Sequence, residues 1–414
     1  MNAVTDLESN VRSYCRVWPT VFHRAAGSRI YSESGQPYLD FFSGAGTLNY
    51  GHNNPVLKST VLDYLAGDGI VHGLDMDTVA KREFLETFQE LILRPRNLDY
   101  RVQLPGPGGT NAVEAALKLA RKVTGRHNIV CFTNAFHGMT LGALAVSGNA
   151  GKRRAAGVPL GNVTVLPYDG YLDESDPGAL PMFERMLRDN GSGADKPAAV
   201  IVETVQGEGG VNVARPQWLR ALAEICRRHE VLLILDDIQM GCGRTGTFFS
   251  FEPAGIVPDI VCLAKSISGY GLPMALTLIR RELDAWAPGE HNGTFRGNNL
   301  AFVAATATLR HYWADDTFAQ QVRAKAAWLT DAMRAVAGSL TGATNRGRGM
   351  VHGLVLATQG KASKVAAEAF DRGLLVETSG AEDEVVKLLP PLTTSIEELG
   401  EGVAILAEAA RAAA

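Results

Sequence analysis

Short apolar runs alternate with amphipathic stretches through the middle of this chain. Val231–Leu235 and Ile260–Leu263 are uncharged, rich in branched residues and too short for helices, which predicts a buried strand for each. Asn128–Phe132, the residues near Val163–Leu166, the segment AAVIVET and Met274–Ile279 carry the same pattern. Helical stretches separate them. LPGPGGTNAVEAALKLARKVTG runs from a glycine-rich loop into strong helix formers, with Thr110 or Asn111 as a natural N-cap and Gly125 as a stop. Pro216–His229 predicts another helix. Strand, helix and strand therefore alternate from about 109 to 280. That order predicts an α/β fold, a doubly wound and mostly parallel sheet with helices on both faces.

The pattern differs on either side. Residues 1–50 read as an irregular arm and a small β unit around the turn signal Ser34-Gly35. FSGAGTLNYGHNNP follows, so dense in glycine that its backbone is expected to approach another group closely. Asp75–Leu93 predicts an amphipathic helix. After 300, Ala-rich helices alternate with short strands near Val351–Ala357 and Leu374–Glu377, and a helix from Ser395 to Ala413 ends the chain. The expected division is an arm and part of a small domain over 1–50, a large ligand-binding domain over 51–300, and a small α+β domain over 301–414.

Composition narrows the function. The 414 residues are 46% hydrophobic and 20% charged, ordinary values for a globular protein with a large core. A formal net charge of −4 offers no basic footprint for nucleic acid and no polybasic face for a membrane. The five cysteines include no CxxC pair, which argues against a zinc site or a disulfide framework and fits a reducing compartment. The N-terminal residues lack the apolar core of a signal peptide, and no apolar run approaches the roughly 20 residues of a membrane span. A cytoplasmic protein is expected.

Candidate chemistry gathers at the strand ends. Asp236 closes one predicted strand and Lys265 lies just past the next. Read singly, the acid caps a helix and the lysine is solvated. Read together, they are what pyridoxal phosphate needs, an amine for its aldehyde and a carboxylate that keeps its pyridine nitrogen protonated. The helix start near Gly109 offers free N–H groups to a phosphate, without the Gly-Lys-Ser/Thr ending of a nucleotide loop. Phe136 and His137 follow a strand, where they suit either a flat ring or a core Phe beside a satisfied core histidine. Glu203 stands at a strand end and Glu208 in a glycine turn, placed to gate charge or position a ring, although one of the two reads equally as a surface residue.

In order and spacing these segments resemble the class III (ornithine-type) aminotransferases of pyridoxal-phosphate fold type I, over nearly the whole chain. GGTNAVEAALKLAR looks like the phosphate loop of that family, which implies phosphate contacts at Gly109 and Thr110. AFHG is similar to its ring-stacking segment, with Phe136 over the pyridine. LDDIQMGCGRTG resembles its acid-x-x-Gln motif, which puts Asp236 on the pyridine nitrogen and Gln239 near the phenolic oxygen. Lys265 matches the lysine that joins the cofactor as a Schiff base. Thr294 matches a threonine that reaches the phosphate in a neighbouring subunit, which implies a homodimer or a dimer-based higher oligomer. Glu208 matches a gating glutamate.

Two positions depart from the family. Met139 stands where many members carry an arginine, and Lys387 where they usually carry their main carboxylate-binding arginine. A lysine cannot make the bidentate fork, so the carboxylate contacts expected of Arg296 and Lys387 are not copied from the family. RSYCRVWP, DFFSGAGTLNYGHNNP, SISGYGLPMALTL and VETSGAEDEVVKLLPPLT resemble one subgroup of it. That resemblance implies transfer of the amino group of L-glutamate to L-aspartate 4-semialdehyde, in ectoine biosynthesis.

Overall fold

A computed structural model describes residues 6–172 and 179–413 of the chain. The first residues of the arm, and part of the polar stretch expected after Leu166, lie outside them. Three larger sheets and a two-stranded ribbon make up the β structure of the described residues.

The central sheet has seven strands: β4 (Tyr100–Gln103), β5 (Ile129–Phe132), β6 (Val163–Leu166), β7 (Ala199–Val202), β10 (Leu232–Asp236), β11 (Ile260–Leu263) and β12 (Leu276–Arg280). Their spatial order is β4-β12-β11-β10-β7-β5-β6. The run from β6 to β11 is parallel throughout, and β12 alone runs against its two neighbours. A parallel sheet is covered on both faces, so its strands read as continuous apolar runs without polar alternation. Ile129, Cys131, Ile201, Ile234, Ile260 and Cys262 pack with Ala112, Val113, Ala116, Leu117, Leu119 and Ala120 of helix Gly109–Thr124. Alternate residues Val130, Phe132, Val200, Val202, Leu233 and Leu235 join a core that includes Trp218, Leu219 and Leu222 of helix Pro216–Arg228. Each fully buried side chain of this size contributes roughly 1.5–3 kcal/mol.

The helix after the glycine loop starts earlier than predicted. Its N-cap is Gly108, and the Asn111 side chain reaches back to accept from the Gly108 N–H at 3.0 Å. Thr110 therefore lies inside the first turn. Gly125 ends the helix as expected, at φ +67°. The helix expected from Asp75 begins at Val79, where the Thr78 hydroxyl accepts from the Lys81 N–H at 3.1 Å, and it ends in a π turn over Gln89–Leu93.

At the N-terminal side, β1 (Phe22–Ala26), β2 (Arg29–Ser32) and β3 (Pro37–Asp40) form an antiparallel meander, and β15 (Leu374–Leu375) adds to β3 in parallel. The third sheet is antiparallel, in the order β13 (Ala343–Arg348), β14 (Val351–Leu356), β17 (Val385–Leu388), β16 (Glu377–Ser379). The single strand expected over 374–377 is thus two, because the chain leaves one sheet and enters another at Val376. A short ribbon, β8 (Val205–Gln206) with β9 (Asn212–Val213), carries Glu208 in its turn. No helix among the described residues is long and apolar enough to cross a membrane.

Candidate active site

Because β5, β7, β10 and β11 point the same way, the residues that follow them emerge on one edge of the sheet, where ligand groups converge in such folds. A cavity of about 180 Å³ opens there. Phe136, His137, Glu203, Asp236 and Lys265 line it from the strand ends, and Gly109 and Thr110 from the helix start. Gln239 and Glu208 complete the predicted residues in its wall.

Asp236 is held from two sides. Its Oδ1 accepts from the Ile238 N–H at 3.1 Å, and its Oδ2 lies 2.7 Å from His137 Nδ1. His137 is buried and its main-chain N–H donates to the Ser147 hydroxyl at 2.9 Å, which fixes the ring against the acid. Burial works against a charged imidazole, but the bond to Asp236 and the fields of Asp236 and Glu203 outweigh it and raise the His137 pKa. The histidine is thereby fixed against the Asp236 carboxylate. Glu203, also buried, accepts from the Phe136 N–H at 3.0 Å, and burial raises its carboxyl above the ordinary range.

Lys265 is half-buried, at φ +53°, and its Nζ donates to the Ala45 carbonyl at 2.9 Å. Burial lowers its pKa, against the opposing pull of Glu208. Ala45 belongs to a turn in which Ser43, Gly44, Ala45 and Gly46 all have positive φ, from 49° to 82°. For Ser43 and Ala45 that conformation costs roughly 1–2 kcal/mol each. Asp40 offsets part of it, since its Oδ1 accepts from the N–H groups of Phe42 and Ser43 at 2.9 and 2.8 Å. The close backbone approach expected of this glycine-rich stretch is thus the Ala45 carbonyl, shared by Lys265 Nζ and Gln239 Nε2, the latter at 3.0 Å. Sequence reasoning marked the stretch and missed the atom.

An outer wall rises from the third sheet and the ribbon. Lys387 is wholly buried, with its Nζ 2.7 Å from Glu208 Oε1 and 3.0 Å from Glu377 Oε1. Glu208 also accepts from Gln239 Nε2 at 3.1 Å. Although burial disfavours its charge, Lys387 and Lys265 hold Glu208 at about 2. The same two acids outweigh burial at Lys387 and raise its pKa. The lysine expected to meet a substrate carboxylate is therefore already clamped between two carboxylates. Glu377 and Tyr14 were not singled out in the sequence, yet both line the cleft beside this wall. An acid at the inner end of a short apolar strand was the available signal for Glu377.

Thr294 and Arg296 are not brought to this cavity within one chain. Thr294 is exposed in a loop. Arg296 donates from Nη1 to Asn292 Oδ1 at 3.2 Å and lines a separate hollow with Arg101 and Trp286. Met139, the first departure from the family pattern, is 52% exposed and offers no charge.

The cavity's chemistry fits a flat aldehyde that bears a phosphate. An amine and a held carboxylate face one space, an aromatic side chain stands beside them, and a helix start supplies N–H groups for an anion. Gly138 sits at φ +134° in its wall, where a Cβ would lie 2.5 Å from the Thr110 hydroxyl, so only glycine leaves Thr110 its place.

Comparison with known proteins agrees with this reading. The family model "Aminotransferase class-III" matches residues 12–410. A diaminobutyrate–2-oxoglutarate transaminase of Streptomyces avermitilis is 63% identical over 408 residues, covering 98% of this chain and 96% of that one. One of Streptomyces anulatus is 64% identical over 405 residues, again covering 98% and 96%. Among solved structures, the ornithine aminotransferase of Toxoplasma gondii, with pyridoxal phosphate partly occupying its active site, superposes with a TM-score of 0.86 at 27% identity, covering 99% of this chain and 93% of that one.

Proposed function

This chain belongs to the class III aminotransferases, pyridoxal-phosphate enzymes, and within that family we propose that it moves the amino group of L-glutamate to the terminal carbonyl of L-aspartate 4-semialdehyde. The products are 2-oxoglutarate and L-2,4-diaminobutyrate, and the reaction runs ping-pong, one half for each pair. One observation carries the chemistry: Asp236, held by His137, and the amine of Lys265 face the same cavity. The choice of substrates is supported by the Streptomyces relatives at 63% and 64% identity, both diaminobutyrate–2-oxoglutarate transaminases.

Pyridoxal phosphate, joined through its aldehyde, supplies a ring that takes up the electron pair left behind when the substrate carbon loses its proton. With the cofactor bound, Lys265 Nζ would hold its aldehyde and would serve as the acid and base that moves the proton of the substrate carbon bearing the amino group. Burial lowers the pKa of Lys265, the direction that favours a base. Asp236 keeps the ring nitrogen protonated, and His137 fixes the orientation of its carboxylate. Phe136 would provide the stacking face and Gln239 a contact to the ring. Gly109 and Thr110 would hold the phosphate, joined by Thr294 of a second copy. Glu208 changes its contact with Lys387 as the two unlike substrates alternate, and Arg296 of a second copy is a candidate carboxylate contact. The expected assembly is a cytoplasmic homodimer or a multiple of one, and the expected destination of the product is ectoine biosynthesis.

The test is isotope transfer. L-glutamate labelled with nitrogen-15 and L-aspartate 4-semialdehyde are incubated with the enzyme, and the products are separated by mass. Label in the 4-amino group of 2,4-diaminobutyrate is the expected result. Label retained in glutamate, with 2-oxoglutarate absent, contradicts the reading.

A further inference from the structure

Glu377 is a buried carboxylate that the chemistry above does not use. It lies on β16 directly opposite Lys387 on β17, and Lys387 is the base it meets among the described residues. Because Lys387 also pairs with Glu208, one cation serves two acids. Glu208 also feels the field of Lys265 and is only half-buried, which leaves Glu377, 5% exposed, as the less compensated of the two acids. Its charge is costly to bury unless a further cation arrives.

Two further observations show where that cation belongs. A cleft of about 710 Å³ is lined by Tyr14, Trp18, Phe136, Glu208, Glu377 and Ser379. Phe136 and Glu208 also line the cavity of Lys265, so the cleft adjoins the reacting end of the site. Ser379 stands two residues beyond Glu377 on the same strand, hence on the same face. It is 3% exposed, and its hydroxyl has no hydrogen-bond partner among the described residues. The indole N–H of Trp18, buried in the same cleft, has none either.

We propose that Glu377, with the Ser379 hydroxyl, binds the α-ammonium group of the substrate that reacts at its far amine or carbonyl, and so selects α-amino acids over ω-amines lacking that group. The Trp18 N–H is a donor suited to the carboxylate on the same carbon. This assignment rests on the substrate class proposed above. It gives the second departure from the family a purpose: paired with Glu208 and Glu377, Lys387 neutralises part of a cation-binding wall.

The test compares L-2,4-diaminobutyrate with 4-aminobutyrate, which has the same reacting end and lacks only the α-amino group. The rate constant of each half-reaction with the holoenzyme is measured by the loss of the cofactor's visible absorbance. Wild-type enzyme is expected to favour diaminobutyrate strongly. Glu377→Gln should lower that preference at least about tenfold, through diaminobutyrate alone, since a charge-assisted hydrogen bond is lost. Glu377→Asp should restore part of it. Ser379→Ala, a milder change that spares the ion pairs, should lower it by about two- to fivefold. Equal slowing of both amines in Glu377→Gln, with Ser379→Ala unchanged, overturns the inference and leaves the proposed reaction standing. A wild-type enzyme that ignores diaminobutyrate overturns the proposed reaction and this inference with it.

Discussion

Asp236 and Lys265 stand at the ends of two hydrogen-bonded neighbours, β10 and β11, whereas Lys387 reaches Glu208 across 179 positions of sequence. The first pair forms the inner wall of the site, the second its outer wall. Inner-wall residues are positioned by one parallel sheet whose strands are buried on both faces, so their geometry follows from regular main-chain pairing. Outer-wall residues come from a two-stranded ribbon and from β16 and β17 of another sheet, and they hold one another by charge. A reaction common to many amino acids needs the first kind of wall. Discrimination among those amino acids needs the second, where side chains can change without disturbing the sheet.

Substitutions can break this contrast. On the proposed roles, Lys265→Ala would remove both the attachment point and the proton carrier, and kcat should fall by more than about 10⁴-fold while 2,4-diaminobutyrate still binds. Asp236→Asn removes the charge opposite the ring nitrogen and should cost on the order of 10³-fold. His137→Phe removes one of the two contacts that hold Asp236, with an expected loss of about 10- to 100-fold. Because a merely structural loss would leave the chemistry alone, the check is the pH dependence of the cofactor's absorbance, which should shift in His137→Phe. In the outer wall the same experiments should read differently. Lys387→Met leaves two acids unpaired, and stability should fall by about 3–5 kcal/mol, measured by urea unfolding.

A smaller effect sharpens the comparison through pH. Glu208 has its pKa lowered from 4.5 to about 2 in the folded protein. An acid lowered in this way contributes stability that is present above its unfolded value and is lost as pH falls toward the folded one. The stability difference between wild type and Glu208→Gln should therefore hold above about pH 5 and shrink as pH drops toward about 3, read from urea midpoints. A difference that persists unchanged to the lowest pH would show that the contribution of Glu208 does not come from its charge.

The same contrast explains what could be read from residues alone. Asp236, Lys265 and Glu203 were legible because an apolar run of strand length ends immediately before each, and strand ends are where side chains face a ligand. The helix cap was misplaced by two or three residues because Asn111 serves it from inside the first turn, a geometry that composition does not reveal. The break at Val376 was hidden because the apolar pattern continues through it while the pairing partner changes. The ion pairs of Lys387 were not legible because its two acids lie 10 and 179 residues away, and only the pairing of β16 with β17 and the Glu208 turn brings them together.

The most direct measurement is the visible absorbance of the purified holoenzyme after separate additions of L-glutamate and L-2,4-diaminobutyrate. The account predicts that each discharges the cofactor's band, and that L-aspartate 4-semialdehyde restores it after glutamate. A band that answers glutamate and is untouched by diaminobutyrate, or one that the semialdehyde fails to restore, contradicts the account.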